Sequence, residues 1–211
     1  MKKLTLATLS TLALTLSCTN VFAVDGTLTV NGVVTDQTCV LLANGIGIGG
    51  GQASGLKDIT INFPAMRKSL FIVPNQWQGI VNFNLYLRNA TGTGPCDAAT
   101  TKAFKGIHLS VTSPDHLHAT DKTLLVNQAS GASAANPIFM QILAIPVIAV
   151  PGGTLVPVDF SASWGTQAKS VIRDEGGNNI SLHYFATVLT KTGVVDAQNY
   201  TAKVNYTIHY N

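Results

Sequence analysis

His116 and His118 lie two residues apart, so on a strand they would share a face and could offer imidazole nitrogens to a metal ion. They follow Ser113-Pro114-Asp115, a turn-forming run, and no third ligand stands near, so a solvated pair is expected rather than a metal centre. Gly45, Gly47 and Gly50 satisfy the spacing of a dinucleotide-binding loop, but that chemistry needs a preceding strand and a following helix N-terminus to hold a pyrophosphate. A polar linker and the strand pattern Ile59 to Phe63 follow instead, so a flexible loop is expected and no cofactor. Asp174 and Glu175 are an acid pair only on paper: adjacent residues point in different directions, and Gly176-Gly177 follows, so they read as a charged turn. His108, His183 and His209 fall at polar or edge positions of expected strands, with no serine or cysteine motif such as G-x-S-x-G to make any of them a catalytic base. No constellation supports catalysis, and a non-enzymatic protein is expected. Trp77 and Trp164 lie near turn residues and could stack on a sugar, although core or rim packing is the commoner role of a single tryptophan.

The elements that must position these residues are strands. Apolar residues alternate with polar ones at Leu28, Val30 and Val34, at Ile59, Ile61 and Phe63, and at Val81, Phe83, Leu85 and Leu87. The same alternation returns at Ile107, Leu109 and Val111, and at Ile180, Leu182, Tyr184, Ala186 and Val188. A period of two marks half-buried strands. Turn-formers separate them at Asn44 to Gly55, Ala90 to Pro95, Pro151 to Gly153 and Gly176 to Asn179, and no window shows an amphipathic helix of useful length. The expected fold is an all-β sandwich. Charged residues make up only 11% of the chain, which suits a β-surface that packs against neighbours.

Lys2 and Lys3, the uncharged run Leu4 to Leu16 and the sequence Val21-Phe22-Ala23 have the form of a secretory signal peptide cleaved after Ala23. The run is well short of the roughly 20 residues that span a bilayer. Cys18 raises lipidation, but Thr15, Leu16 and Ser17 fit a lipoprotein motif poorly. Losing Lys2 and Lys3 lowers the formal charge of +3 to +1, and nothing suggests nucleic acid. Residues 24–211 suffice for one well-filled core, and one domain is expected. Only Cys39 and Cys96 then remain, and a pair of cysteines in an exported chain is expected to oxidise. Closing a loop of that length would stabilise the fold by about 4 kcal/mol in the chain-entropy model.

The two ends of the mature chain share a feature. Leu28, Val30, Gly32 and Val34 fall on one face of the N-terminal segment, with glycine interrupting the apolar stripe. Such a glycine marks either a bulge in the first strand of a self-contained sandwich or a place where another chain comes close. At the other end Tyr200, Ala202, Val204, Tyr206, Ile208 and Tyr210 fall on one side of an expected strand that closes with Asn211.

An alternating N-terminal segment carrying Gly32, then Cys39, a strand Phe83-x-Leu85-x-Leu87 before Cys96, and a C-terminal strand with Tyr210 penultimate resemble the chaperone-usher pilins. The chain is similar to the type 1 and P pilus subunits of Gram-negative bacteria over essentially all of its mature length. The resemblance implies an incomplete immunoglobulin-like β-sandwich completed by a donor strand from a neighbouring subunit. It implies a signal peptide at 1–23, a donor-strand extension at 24–37 and a pilin domain at 38–211. Leu28, Val30 and Val34 would enter the neighbour's groove, and Gly32 would meet a site too shallow for a side chain. Val204, Tyr206, Ile208 and Tyr210 would line this subunit's own groove, with the Asn211 carboxylate held by basic residues of a periplasmic chaperone. The implied partners are that chaperone, an outer-membrane usher and neighbouring pilin subunits in a head-to-tail polymer, reached through the periplasm and displayed at the cell surface as a fimbrium. The alternative within the family is a minor or tip pilin that binds a host glycan receptor.

Overall fold

The computed structural model describes residues 39–45, 48–49, 58–146 and 154–211, with 48–49 as backbone only. All of them belong to one compact unit, Gly32–Asn211. In chain order the elements are β1 (Val40–Asn44), β2 (Ile48–Gly49), β3 (Thr60–Ile61), β4 (Gln78–Arg88), α1 (Ala98–Ala103) and β5 (Phe104–Val111). They continue with β6 (Leu125–Val126), β7 (Phe139–Ala144), β8 (Val156–Pro157), β9 (Ile172–Gly176), β10 (Asn179–Leu189) and β11 (Val204–Tyr210). The all-β reading is borne out. α1, the longest helix among the described residues, is a short turn that Asp97 caps by accepting the Thr100 N–H at 2.9 Å.

Seven strands form one sheet in the order β1-β4-β10-β7-β6, with β8 on β7 and β9 on β10. Among the described residues, β5 and β11 form a second sheet of two, and β2 pairs with β3. Every pairing between these strands is antiparallel. The alternation seen in the sequence sets the inward faces: Val81, Phe83, Leu85 and Leu87 of β4 and Ile180, Leu182, Tyr184, Ala186 and Val188 of β10 are buried. Phe104, Ile107 and Leu109 of β5 join the same core from the smaller sheet. Each such aliphatic side chain removed from water stabilises the fold by roughly 1.5–3 kcal/mol. Phe83 and Tyr184 stack across the β4–β10 pair at 5.9 Å.

The hairpin from β9 to β10 shows local sequence deciding local shape. Gly177 and Asn178 both take positive φ (60° and 62°), as a two-residue primed turn requires. Gly176 (φ 83°) adjoins a register shift that leaves Glu175 without an opposite number on β10.

Several expectations are corrected. Asp174 and Glu175 belong to β9, not to the turn, because the turn needs only the two residues after Gly176. The stretch Asn44 to Gly55 is not wholly a loop: Ile48–Gly49 pairs with Thr60–Ile61, while Gly47 and Gly50 lie outside the described residues. The Ile59 to Phe63 pattern yields a strand of only two residues, although Ile59, Ile61 and Phe63 do point at the core. The C-terminal strand starts at Val204 rather than Tyr200. Neither β1 nor β7 was marked by alternation. β7 packs on both faces: Met140 and Ala144 join the main core, while Phe139 joins Leu124 and Leu189 in a second cluster. Such a strand loses its polar alternate positions.

Candidate functional site

The feature with most chemical consequence is the C-terminal edge. β11 pairs with β5 in the register Val204↔Val111, Tyr206↔Leu109 and Ile208↔Ile107, and a bulge then sets Tyr210 opposite Phe104. Val204, Tyr206, Ile208 and Tyr210 share one face, as the sequence pattern requires, but all four are half-buried where Ile107 and Leu109 are sealed. Tyr210 meets Phe104 edge-on at 6.2 Å.

The segment 58–63 lies close to this face. Phe63 packs edge-on against Tyr200 at 5.8 Å, and Asp58 is near enough to Tyr206 to raise its phenol pKa, after burial, the larger cause. The segment thus runs opposite in direction to β11, with Asp58 beside Tyr206 and Phe63 beside Tyr200. Ile59, Ile61, Phe63 and Met66 are half-buried against the core like the β11 side chains. Among the described residues, β5 is the strand that pairs with β11; segment 58–63 forms no ladder with it. Among the described residues, half-buried apolar side chains of β11 and of 58–63 therefore line one shared strip, the trough. Burial pushes the Tyr200 phenol up to about 12, and burial with the Asp97 carboxylate raises Tyr210, so both are neutral and suited to a dry contact.

Asn211 is exposed, takes φ 102° and donates its N–H to Ala103 O at 2.8 Å, which fixes the chain end beside α1. Cys39 and Cys96 are joined as expected, bridging the start of β1 to the turn after β4. They and Asp97 form a tight group of metal-ligating residue types, but both sulfurs are engaged in the disulfide and offer no ligand. Leu28, Val30, Gly32 and Val34 lie outside the described residues.

The other residues singled out by type do not converge. Glu175 accepts from Ser181 Oγ at 2.7 Å and Asp174 from the Gly176 N–H at 2.8 Å, so the two carboxylates are occupied separately. His116 and His118 are not simply solvated: Thr112 Oγ1 lies 2.8 Å from His116 Nδ1, and His118 Nδ1 accepts the Asp121 N–H at 3.2 Å. His118 also meets Phe139 edge-on at 5.1 Å. His183 holds the expected polar alternate position of β10, on the face away from Leu182 and Tyr184, but mid-way along an inner strand, with both ring nitrogens buried and without a hydrogen bond among the described residues. Burial, then the nearby Arg173, holds its imidazole below the ordinary range. Trp77 packs on the cluster of Leu124, Phe139 and Leu189. Trp164 stacks flat on His209 at 4.0 Å, with Lys169 Nζ 4.3 Å from its ring centre. Both tryptophans pack against neighbours and both stay half-buried. Ile59, Ile61 and Phe63 as one bank of the trough escaped sequence reading, since alternation marks an inward face without saying what stands next to it.

A curated relative, the major fimbrial subunit SMF-1 of Stenotrophomonas maltophilia (strain K279a), is 27% identical over 196 residues, spanning 90% of this chain and 94% of the relative. Among solved structures, the P pilus rod subunit PapA superposes with a TM-score of 0.51 at 18% identity, over 88% of this chain and 99% of that one. The fold is that of a pilin. The pilin resemblance read from the end motifs is thereby borne out, as is the all-β class. A chaperone-usher pilus studied for rod uncoiling aligns at a TM-score of 0.45 and 19% identity over 88% of this chain and 95% of that one, too low to add weight. No protein-family model matches the chain.

Proposed function

We propose that this pilin is a structural subunit of a chaperone-usher fimbria and polymerises by donor-strand exchange. One observation carries the reading: among the described residues, the apolar face of β11 is half-buried, the apolar segment 58–63 lies beside it, and no ladder joins the two. A strand entering that trough would lie beside β11, with its alternate side chains in pockets between β11 and 58–63. Left open, the same edge is a template for aggregation, which is why a periplasmic chaperone would cover it first.

Residues 24–37 are the proposed donor. Leu28, Val30 and Val34 would enter a neighbour's trough, contributing about 5–8 kcal/mol before ordering costs, and Gly32 would cross its shallowest point. The Asn211 carboxylate, at an exposed chain end, would be the chaperone's handle. An outer-membrane usher would then exchange chaperone for subunit. Head-to-tail contacts of this kind do not close, so a surface fibre results. The SMF-1 relative is by name a major fimbrial subunit, which favours a shaft role over a glycan-binding tip role.

The test is a mixing experiment. The mature chain without residues 24–37 is titrated with a synthetic peptide of those residues while its melting temperature is followed. A large, saturable rise supports an incomplete fold completed in trans. A truncated chain that is already stable and ignores the peptide means a complete sandwich, and the proposal fails.

A further inference from the structure

Among the described residues the small sheet has two edges, and the trough lies at the β11 edge. On the other edge of β5, Gln167 is buried (4% exposed) and its amide is spent on main chain. Its Oε1 accepts the Leu109 N–H at 2.9 Å, and its Nε2 donates to Leu109 O at 2.7 Å and to Asp159 O at 2.8 Å. A carboxamide carries one acceptor and one donor side by side, so it can answer both backbone groups of one residue as an added strand would. The groups answered are those Leu109 turns away from β11, its cross-strand neighbour being Tyr206.

The segment holding Gln167 is itself fixed over that edge. Phe160 is buried and its N–H donates to Lys122 O at 3.1 Å, while the Thr166 and Gln167 N–H groups donate to Ser163 O at 3.0 and 2.9 Å. Nearer the bulge, His108 Nε2 lies 2.9 Å from Ala162 O, where the imidazole donates. Trp164 closes the end: it stacks on His209, and a Cβ at Gly106 would come within 3.3 Å of its ring, so glycine there lets the indole lie on the backbone.

We infer that the segment 159–167, through the Gln167 amide, closes the outer edge of β5 against a second copy of this chain and makes strand addition to the small sheet one-sided. The inference builds on the proposed strand addition at β11, yet its first readout does not depend on it. Without the amide, Leu109 would present a free donor and acceptor beside an apolar strand, and the partner it fits is the same edge of another molecule.

The test uses the whole mature chain as wild type, Gln167→Ala and Gln167→Met, the last keeping side-chain length without hydrogen bonds. Amide hydrogen exchange at Leu109 is compared with that at His108 and Ser110, and self-association is followed by sedimentation with saturating 24–37 peptide. In the wild type, the Leu109 amide should be as protected as its neighbours. In the variants it should exchange at least tenfold faster while the neighbours hold, and concentration-dependent dimers should persist with the peptide present. An unprotected Leu109 amide in the wild type, or variants that stay monomeric with unchanged exchange, would overturn the inference. A peptide that does not bind would instead count against strand addition at β11 and leave the exchange comparison intact.

Discussion

Ile208 stands directly opposite Ile107 across the β5–β11 pair, yet Ile107 is 1% exposed and Ile208 only half-buried. The same strand pair is thus finished on one side and unfinished on the other. Ile208→Asp should leave the core on the β5 side intact but place a charge where a donor side chain would settle. Affinity for the 24–37 peptide should fall about 10- to 100-fold, corresponding to roughly 1.5–3 kcal/mol of lost apolar contact. Titration calorimetry reads this, and unchanged affinity would remove Ile208 from the binding trough.

Gly32 supplies the complementary test from the donor side. A peptide carrying Gly32→Leu should bind at least about tenfold more weakly, because overfilling a packed site costs roughly 1–3 kcal/mol. Gly32→Ala should lose less. A leucine peptide that matches the wild type would mean that the register is shifted and another residue crosses the shallow point.

Removing the disulfide frees a loop with a sequence separation of 57. Cys39→Ser with Cys96→Ser should cost about 4 kcal/mol of stability in the chain-entropy model. Urea unfolding under oxidising conditions measures it. A midpoint equal to that of the parent would show that the bridge does not constrain the unfolded chain.

Acid should weaken the fold through His183. Its imidazole pKa is lowered in the folded state by burial and by Arg173, so below the ordinary histidine value of about 6.5 the unfolded chain binds the extra proton first. The stability tied to neutral His183 is therefore fully present above about pH 6.5 and is lost as pH falls towards the folded value. Melting temperature should drop between pH 7.5 and pH 5, and His183→Gln should flatten part of that drop. His209, lowered by burial, His108 and Lys169, leaves the variant with a residual slope. Parallel curves for parent and variant would exclude His183 as a source.

The strands most legible in the sequence were those with one wet face. Val81 to Leu87 announced β4 because Asn82 and its polar neighbours point away from the core. β7 was silent because Phe139 and Leu143 are as buried as Met140 and Ala144, leaving only Gln141 to break the run. The C-terminal stripe Val204, Tyr206, Ile208 and Tyr210 was readable as a face, and its half-burial was not, since exposure depends on what stands beside the strand. Gln167 was invisible for a related reason: a glutamine in a polar stretch gives no sign that its amide replaces a rung of a sheet.

In the fibre proposed above, the bridge from Cys39 to Cys96 would also decide how the domain carries mechanical load. Chain tension arriving from the N-terminal side reaches Cys39 one residue before β1, whose first rung is Val40↔Arg88. Without the bridge, that pull would unzip β1 from β4 one rung at a time, starting at Val40. With it, the force passes through covalent sulfur into Cys96, beside the Arg88–Pro95 bridge and the capped start of α1. The first strand is bypassed, and the domain takes strain at an anchored corner instead of a peelable seam.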